Sequence, residues 1–403
     1  MTKVDLAWGS GPTPRYEGLA ERFRPVFDSF REGATARDVG RILPFAEFER
    51  LKQSGFGALR VPVDQGGSGA TLPELFGLLV ELSEAESNLT QAMRAHFGFT
   101  EDVLNSDDAR RRERWLGRIG RGDVFGGAWS EVGDAKLAAF STRVRNHGGD
   151  LQLDGTKYYT TGSLFADWID VGASDEADEG IGVVVSRHAP GVEILDDWDG
   201  IGQTLTASGT ATFKRVPVDA ADITKADTRF GYAPAFFQLV QLATIAGIGR
   251  ALANDLAGAV ARRTRTYSHA SASRSNEDAQ VLQVVGRVRS AAYAAGAIVL
   301  KAAEAVQRAA DVRGEAAGTA VHIAEVESAQ AQSVVTDLVL NAATIAFDAL
   351  GASALKRGSG LDRHWRNART LASHNPRIYK DRIVGDFAVN GVPPPPQWRV
   401  GTA

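Results

Sequence analysis

The chain has no cysteine among its 403 residues, so disulfides, thiolate nucleophiles and cysteine-held metals are excluded. Its seven histidines never stand in His-x-x-x-His or His-x-x-Glu-His spacing, which argues against a metal centre. An excess of one charge is also lacking: 45 Lys and Arg against 49 Asp and Glu leave −4, no footprint for nucleic acid. No apolar run follows Met1-Thr2-Lys3-Val4-Asp5, so no secretory signal is read there. The stretch Ala291–Val306 reads as the most apolar helix, and it is interrupted by Gly296 and Lys301 and too short to span a bilayer. These absences predict a cytoplasmic protein with neither a membrane nor a nucleic-acid partner.

Proline is missing between Pro234 and Pro376, and proline is the strongest helix breaker. Amphipathic stretches near Ala235–Arg265, Ala279–Arg313 and Gly318–Leu350, with Leu361–His374, predict a four-helix bundle. Before Arg121 the period is also helical, with Leu72, Leu75, Leu78, Leu79 and Leu82 on one stripe. Between them, glycines cluster and short apolar runs alternate with turns, as in a small β-barrel or sandwich. There Asp150 to Tyr159 reads as strand, Asp154-Gly155 turn, strand. The expected fold is α+β, mainly α. It comprises a helical domain over 1–122, a β domain over 123–228 and a bundle with a C-terminal arm over 229–403.

One stretch, Leu361 to Pro376, packs Asp362, Arg363, His364, Trp365, Arg366, Arg369 and His374 into a helical pattern. Asp362, Arg366 and Arg369 fall on neighbouring turns, and Pro376 ends the helix, leaving His374 at its C-terminus. Two uses fit: an ion-pair network locking helices together, or the polar wall of a cofactor pocket. His374 itself could merely cap helix carbonyls.

Four segments, in order, resemble the acyl-CoA dehydrogenase superfamily. They are the glycine turn Arg60 to Gly69, the stretch Gly126-Gly127-Ala128-Trp129-Ser130-Glu131, the strand Gly155 to Gly162, and Asp199 to Ser208. In the last, Gln203 replaces a basic residue. The closing stretch, with Ser373-His374-Asn375-Pro376 and then Asn390-Gly391, is similar to the flavin-dependent monooxygenase branch. That resemblance implies a two-component enzyme. It would take reduced flavin, FMN (FMNH2) first and FAD second, from a separate NAD(P)H:flavin reductase. With O2 it would form a flavin hydroperoxide and oxygenate a small aromatic, heteroaromatic, sulfur- or nitrogen-containing substrate. A homotetramer is implied as well.

A dehydrogenase needs a carboxylate base. Both places where the superfamily carries one read without an acid here, in Ser373 to Arg377 and between Arg229 and Asn254. The alternative is therefore an acyl-CoA dehydrogenase or flavin oxidase with a non-standard base. The resemblance makes His374, His96, Thr161 and Ser163 the catalytic candidates, His374 as a hydrogen-bond donor. Gly127, Ala128, Trp129, Ser130, Tyr159, Thr161, Arg263, Arg274 and Arg369 become the cofactor candidates. Each also has an ordinary reading: His96 as a core histidine, the Gly127 to Ser130 stretch as a tight turn, Arg263 and Arg274 as a solvated charge run.

Overall fold

A computed structural model describes residues 6–132, 140–226 and 229–395; the end of the arm lies outside them. Seven helices come first: α1 Tyr16–Ala20, α2 Arg24–Arg31, α3 Ala34–Gly40, α4 Phe45–Gln53, α5 Leu72–Ala92, α6 Arg94–Leu104 and α7 Ala109–Gly120. Helix α5 starts at a capping box, in which Glu74 N–H donates to Thr71 Oγ1 and Thr71 N–H to the Glu74 carboxylate. The expected leucine stripe is fully buried, and so is the rest of this helix.

What lets a helix be buried on all sides is a ladder of ion pairs. Glu74, Glu81, Glu84 and Glu86 on α5 meet Arg15, Arg24, Arg31 and Arg37 from the helices wrapped around it. A buried carboxylate needs such a partner. Near its end α5 breaks at Glu86 (φ −153°, ψ 99°), and the Glu86 carboxylate turns back to accept from Asn88 Nδ2 at 2.7 Å.

The middle of the chain forms one sheet from β1 Phe125–Ala128, β2 Arg143–His147, β3 Asp150–Lys157, β4 Trp168–Ser174, β5 Gly180–Ser186, β6 Val192–Ile194, β7 Ala211–Val218 and β8 Ile223–Lys225. The order is β6-β7-β3-β2-β4-β5-β8, with β1 parallel to β4. One expectation fails here. Asp154-Gly155 is not a hairpin turn: β3 runs on through it, and the pairing with β7 shifts register between Leu153 and Gly155. Gly155, at φ +150°, is a bulge residue. The hairpin turn is Gly148-Gly149 instead, between β2 and β3.

The bundle is α8 Ala233–Arg262, α9 Ala279–Asp311, α10 Ala316–Ile345 and α11 Asp362–His374, and a further helix, α12 Lys380–Asn390, follows. Asn375 leaves the helical region just before Pro376, as its position demands. The apolar extreme was misplaced by sequence: α8, not Ala291–Val306, is long and apolar enough to cross a bilayer. Most of it is buried inside the protein, packed against α5, α9 and α10, so it is the core helix.

Much of the arginine-rich stretch serves this packing. Arg363 and His364 both bond Asp255 of α8, at 2.7 and 2.8 Å. Burial and then Arg363 hold the His364 pKa down to about 4, so its Nε2–H donates as a neutral ring. Arg366 pairs with Asp38 of α3 at 2.5 Å and Asp362 at 2.8 Å, and donates to the Ile201 carbonyl. Three parts of the fold are thereby tied to one turn of α11.

Candidate active site

The β sheet, the α5–α6 junction and the bundle meet at one place, whose open side is the candidate cleft. The kink at Glu86 frees Ser87 and Asn88 to hold the β side: Gln203 Nε2 donates to Ser87 Oγ at 3.1 Å and Leu205 N–H to Asn88 Oδ1 at 3.2 Å. Asn367 of α11 accepts from Gln203 N–H at 2.6 Å. Gln203, which stands where a basic residue was expected, is a buried neutral link in this junction. Close approach needs glycine. A Cβ on Gly127 would come within 2.9 Å of Ala95 Cβ, and one on Gly162 (φ +79°) would run into the Ala92 carbonyl oxygen.

The β side of the cleft presents hydroxyls. Thr161 Oγ1 and Ser208 Oγ lie 2.7 Å apart, and Ser208 is equally close to Thr206 Oγ1. Ser163 is buried and donates to the Gly127 carbonyl at 3.3 Å, so it holds the turn after β3 against β1. Tyr159 adopts φ +60°, which swings its ring out to 51 % exposure beside Tyr158 and Trp198. Gly127 and Ala128 are strand residues rather than a loop, and Ser130 is exposed and bridges to Tyr158 through its backbone.

Trp129 departs from its expected role. Its indole N–H donates to Asp170 at 2.7 Å, and Arg229 covers the ring at 4.2 Å. Its side chain is a packing element of the sheet, and only its backbone remains for a ligand.

The bundle side is built on His374 and Asn375. Asn375 Nδ2 donates to Gln238 Oε1 at 2.8 Å and Gln241 Oε1 at 3.2 Å, and its carbonyl accepts from Gln332 Nε2 at 3.0 Å. With both amide protons used, Asn375 Oδ1 is the acceptor of the 3.1 Å bond to His374 Nδ1. Nδ1 therefore carries the proton and Nε2 is bare. The expected donor is an acceptor. The imidazole touches solvent, yet surrounding protein desolvates its charged form, and Arg94 repels it; together they lower its pKa to about 4. It is a neutral base at physiological pH.

Several candidates stay away from this cleft. His96 is fully buried, with Nε2 on the Gly57 carbonyl at 2.8 Å and Nδ1 accepting from Phe125 N–H at 3.3 Å. Burial lowers its pKa to about 4. Both nitrogens are committed, so the core reading replaces the catalytic one. Arg263 donates to the Leu350 carbonyl and, at 3.2 Å, to Arg265 O, which makes it a clamp at the end of α8. Arg274 stands exposed beside Glu277 in the α8–α9 loop. Arg369 alone of the three cofactor arginines stays near the end of α11: its guanidinium meets Ser373 Oγ at 2.9 Å and forms no ion pair among the described residues.

Sequence reading missed Arg94, Phe237, Gln238 and Ser208. A signal existed for Arg94, the one charge between Leu89 and Phe99 in an otherwise nonionic run apart from His96.

Residues 239–376 match the model of the acyl-CoA dehydrogenase C-terminal domain. Over 404 residues the chain is 27 % identical to a dibenzothiophene monooxygenase of Rhodococcus erythropolis, spanning 96 % of this chain and 94 % of that protein. It is 25 % identical to a probable FMNH2-dependent monooxygenase, SfnC, of Pseudomonas putida, over 93 % and 95 % of the two chains. The solved structure of FMN-bound TdsC from Paenibacillus sp. A11-2 has a TM-score of 0.86 at 25 % identity, covering 94 % of this chain and 98 % of that one. The resemblance read from the motifs is the one these comparisons return.

Proposed function

We propose that this chain, a member of the acyl-CoA dehydrogenase superfamily by its fold and by the sequence of its bundle, is the oxygenase of a two-component flavin-dependent monooxygenase. It uses reduced FMN and O2 to oxygenate a small aromatic, heteroaromatic, sulfur- or nitrogen-containing molecule. A separate NAD(P)H:flavin reductase supplies the FMN, and the cytoplasm is the compartment where such a reductase finds its NADH.

One observation carries the reading. Where a dehydrogenase needs a carboxylate, this cleft has the amides Gln238, Gln241 and Asn375 and a bare imidazole nitrogen. An amide cannot take a carbon-bound proton. An amide-oriented neutral imidazole can hold a proton at Nε2 during oxygen transfer and release it readily, because desolvation by the surrounding protein, and then Arg94, disfavour the imidazolium.

The β side fits a flavin. The half-exposed Tyr159 ring offers a flat apolar contact, and the Gly127–Ser130 backbone and the Thr161 and Ser208 hydroxyls offer donors and acceptors. Arg369 adds a cation free of any carboxylate among the described residues. Reduced FMN, when bound there, supplies the electrons that activate oxygen. Thr161 and Ser208 orient it, Tyr159 shields it from water, and Ser163 holds their turn in place.

A second reading, a dehydrogenase or oxidase with a base in a new place, rests on Glu325. Burial raises this α10 carboxyl to about 7, with Lys380 pulling it back. It lies one turn beyond Val321, which packs beside Gly231 at the start of α8. A photochemically reduced FMN assay separates the two. Oxygen-dependent product from aromatic sulfides, and none without oxygen, is expected, with Glu325→Gln within about threefold of wild type. Substrate-driven flavin reduction without oxygen, lost in Glu325→Gln, would establish the second reading.

The same variant carries a pH signature. A carboxyl raised in the folded state costs nothing below its ordinary 4.5 and its full penalty above about 7. Glu325→Gln should therefore stabilise the protein at pH 8 by about 1–3 kcal/mol and leave it unchanged near pH 4. Urea denaturation at the two pH values checks this.

The assembly we propose is a homotetramer through the bundle. Exposed apolar side chains support it: Leu282 and Tyr293 on α9, and Ile378, Tyr379 and Val389 around α12. The exposed Arg274 loop would then reach a neighbouring subunit's flavin. Light scattering at micromolar concentration is expected to give four times the 42.9 kDa chain mass; a monomer would end the idea.

A further inference from the structure

Two arginines flank Phe237 at the cleft, their guanidinium carbons 4.7 Å (Arg94) and 5.5 Å (Arg229) from its ring centre. They are in opposite electrostatic situations. Arg229 is neutralised by Asp102 at 3.1 Å and Asp170 at 3.0 Å. Arg94 makes one weak bond, from Nε to the Phe237 carbonyl at 3.3 Å, and forms no ion pair among the described residues. Its charged neighbour is Arg229, a like charge, and His374 beside it is neutral.

By contrast, Arg24, Arg37 and Arg60 each face a buried carboxylate. Enclosing a guanidinium without a counterion is costly, and proteins retain such groups where an anion arrives. Burial, then Arg229, lowers the Arg94 pKa to about 10, so it is still cationic at pH 7. Its two terminal nitrogens have no hydrogen-bond partner among the described residues, and they form a fork suited to two oxygens of one anion.

We infer that Arg94 receives an anionic group of the substrate. The molecule oxygenated here would carry a sulfinate, sulfonate or carboxylate, with its apolar body beside Phe237 and Ala95. The inference names the substrate class of the oxygenase proposed above and rests on that reading. Both guanidiniums lie within 5.5 Å of the Phe237 ring centre, and His374 is near enough to Arg94 for that cation to disfavour its charged form. A substrate held at one end by the guanidinium would thus have the His374 imidazole in its neighbourhood. The anionic ring of reduced flavin is a second possible source of the same charge, and the test distinguishes the two.

The probes are benzenesulfinate and its neutral counterpart methyl phenyl sulfoxide, titrated calorimetrically into the full chain saturated with FMN. Wild type is expected to bind the sulfinate at least tenfold more tightly than the sulfoxide, and to lose that preference as salt is raised. Arg94→Gln should weaken sulfinate binding twentyfold or more and move sulfoxide binding less than twofold; Arg94→Lys should fall between. Melting temperature and the affinity for reduced FMN should be unchanged in both variants. Equal binding of the two probes by wild type overturns the inference. So does an Arg94→Gln variant that loses reduced FMN and keeps the sulfinate, which would give the arginine to the flavin. Should no substrate be oxygenated while sulfinate binding still depends on Arg94, the oxygenase reading falls and the anion site stands.

Discussion

Replacing His374 with alanine is expected to lower product formed per NADH consumed by about 100-fold. Oxygen uptake should continue, ending in hydrogen peroxide. The expectation follows from the bare Nε2 of His374. Asn375 fixes Nδ1 as the donor, so Nε2 is where a proton can be held, and alanine leaves nothing to hold it. The fold should be indifferent: the side chain is exposed and its one bond goes to the adjacent residue, so the melting temperature should move by no more than about 2 °C. A pH profile adds a second check. The surrounding protein and then Arg94 lower its pKa below 6.5, so His374 is neutral above pH 7 and gives no rate change between pH 7 and 8. Wild-type product per NADH in the variant would make His374 a helix-end residue and nothing more.

Replacing Glu101 with alanine should produce the largest loss of stability, about 3–5 kcal/mol. This carboxylate is fully buried on α6 and meets Arg60 Nε at 2.6 Å; Tyr232 Oη donates to it, as Asn105 Nδ2 does to Tyr232. The glycine turn, α6 and the entrance to α8 all end on this one group. Its removal leaves the largely buried Arg60 guanidinium without a counterion, and that stranded charge, more than the lost attraction, sets the cost. Glu101→Gln should lose less, because the amide oxygen still accepts a bond. Urea denaturation gives the difference; a loss under 1 kcal/mol would mean that water reaches Arg60 and the cluster is not a closed one.

The sequence by itself determined the helices of the bundle, because their limits depend on local chemistry. A stretch without proline leaves long helices free to form, and Pro376 stops α11 at His374 whatever surrounds it. The leucine stripe of α5 was legible for the same reason. The resemblance to the superfamily was legible because the motifs that carry it sit where backbone crowding leaves few choices, as at Gly162 against Ala92.

Tertiary structure decided everything that depends on which partner a polar group finds. Nothing local distinguishes His96, sealed between Gly57 and Phe125, from His374, open to the cleft. Asp154-Gly155 has the composition of a turn, and only its pairing with β7 makes it a bulge. Arginines 363 and 366 became locks because Asp255 and Asp38, each more than 100 positions away, came to meet them. Arg94 became a candidate binding residue for the opposite reason: the fold brought it Arg229 and a neutral imidazole, and no described carboxylate. A charge is costly or useful according to what the fold places within a few ångströms of it, and sequence spacing carries no record of that distance.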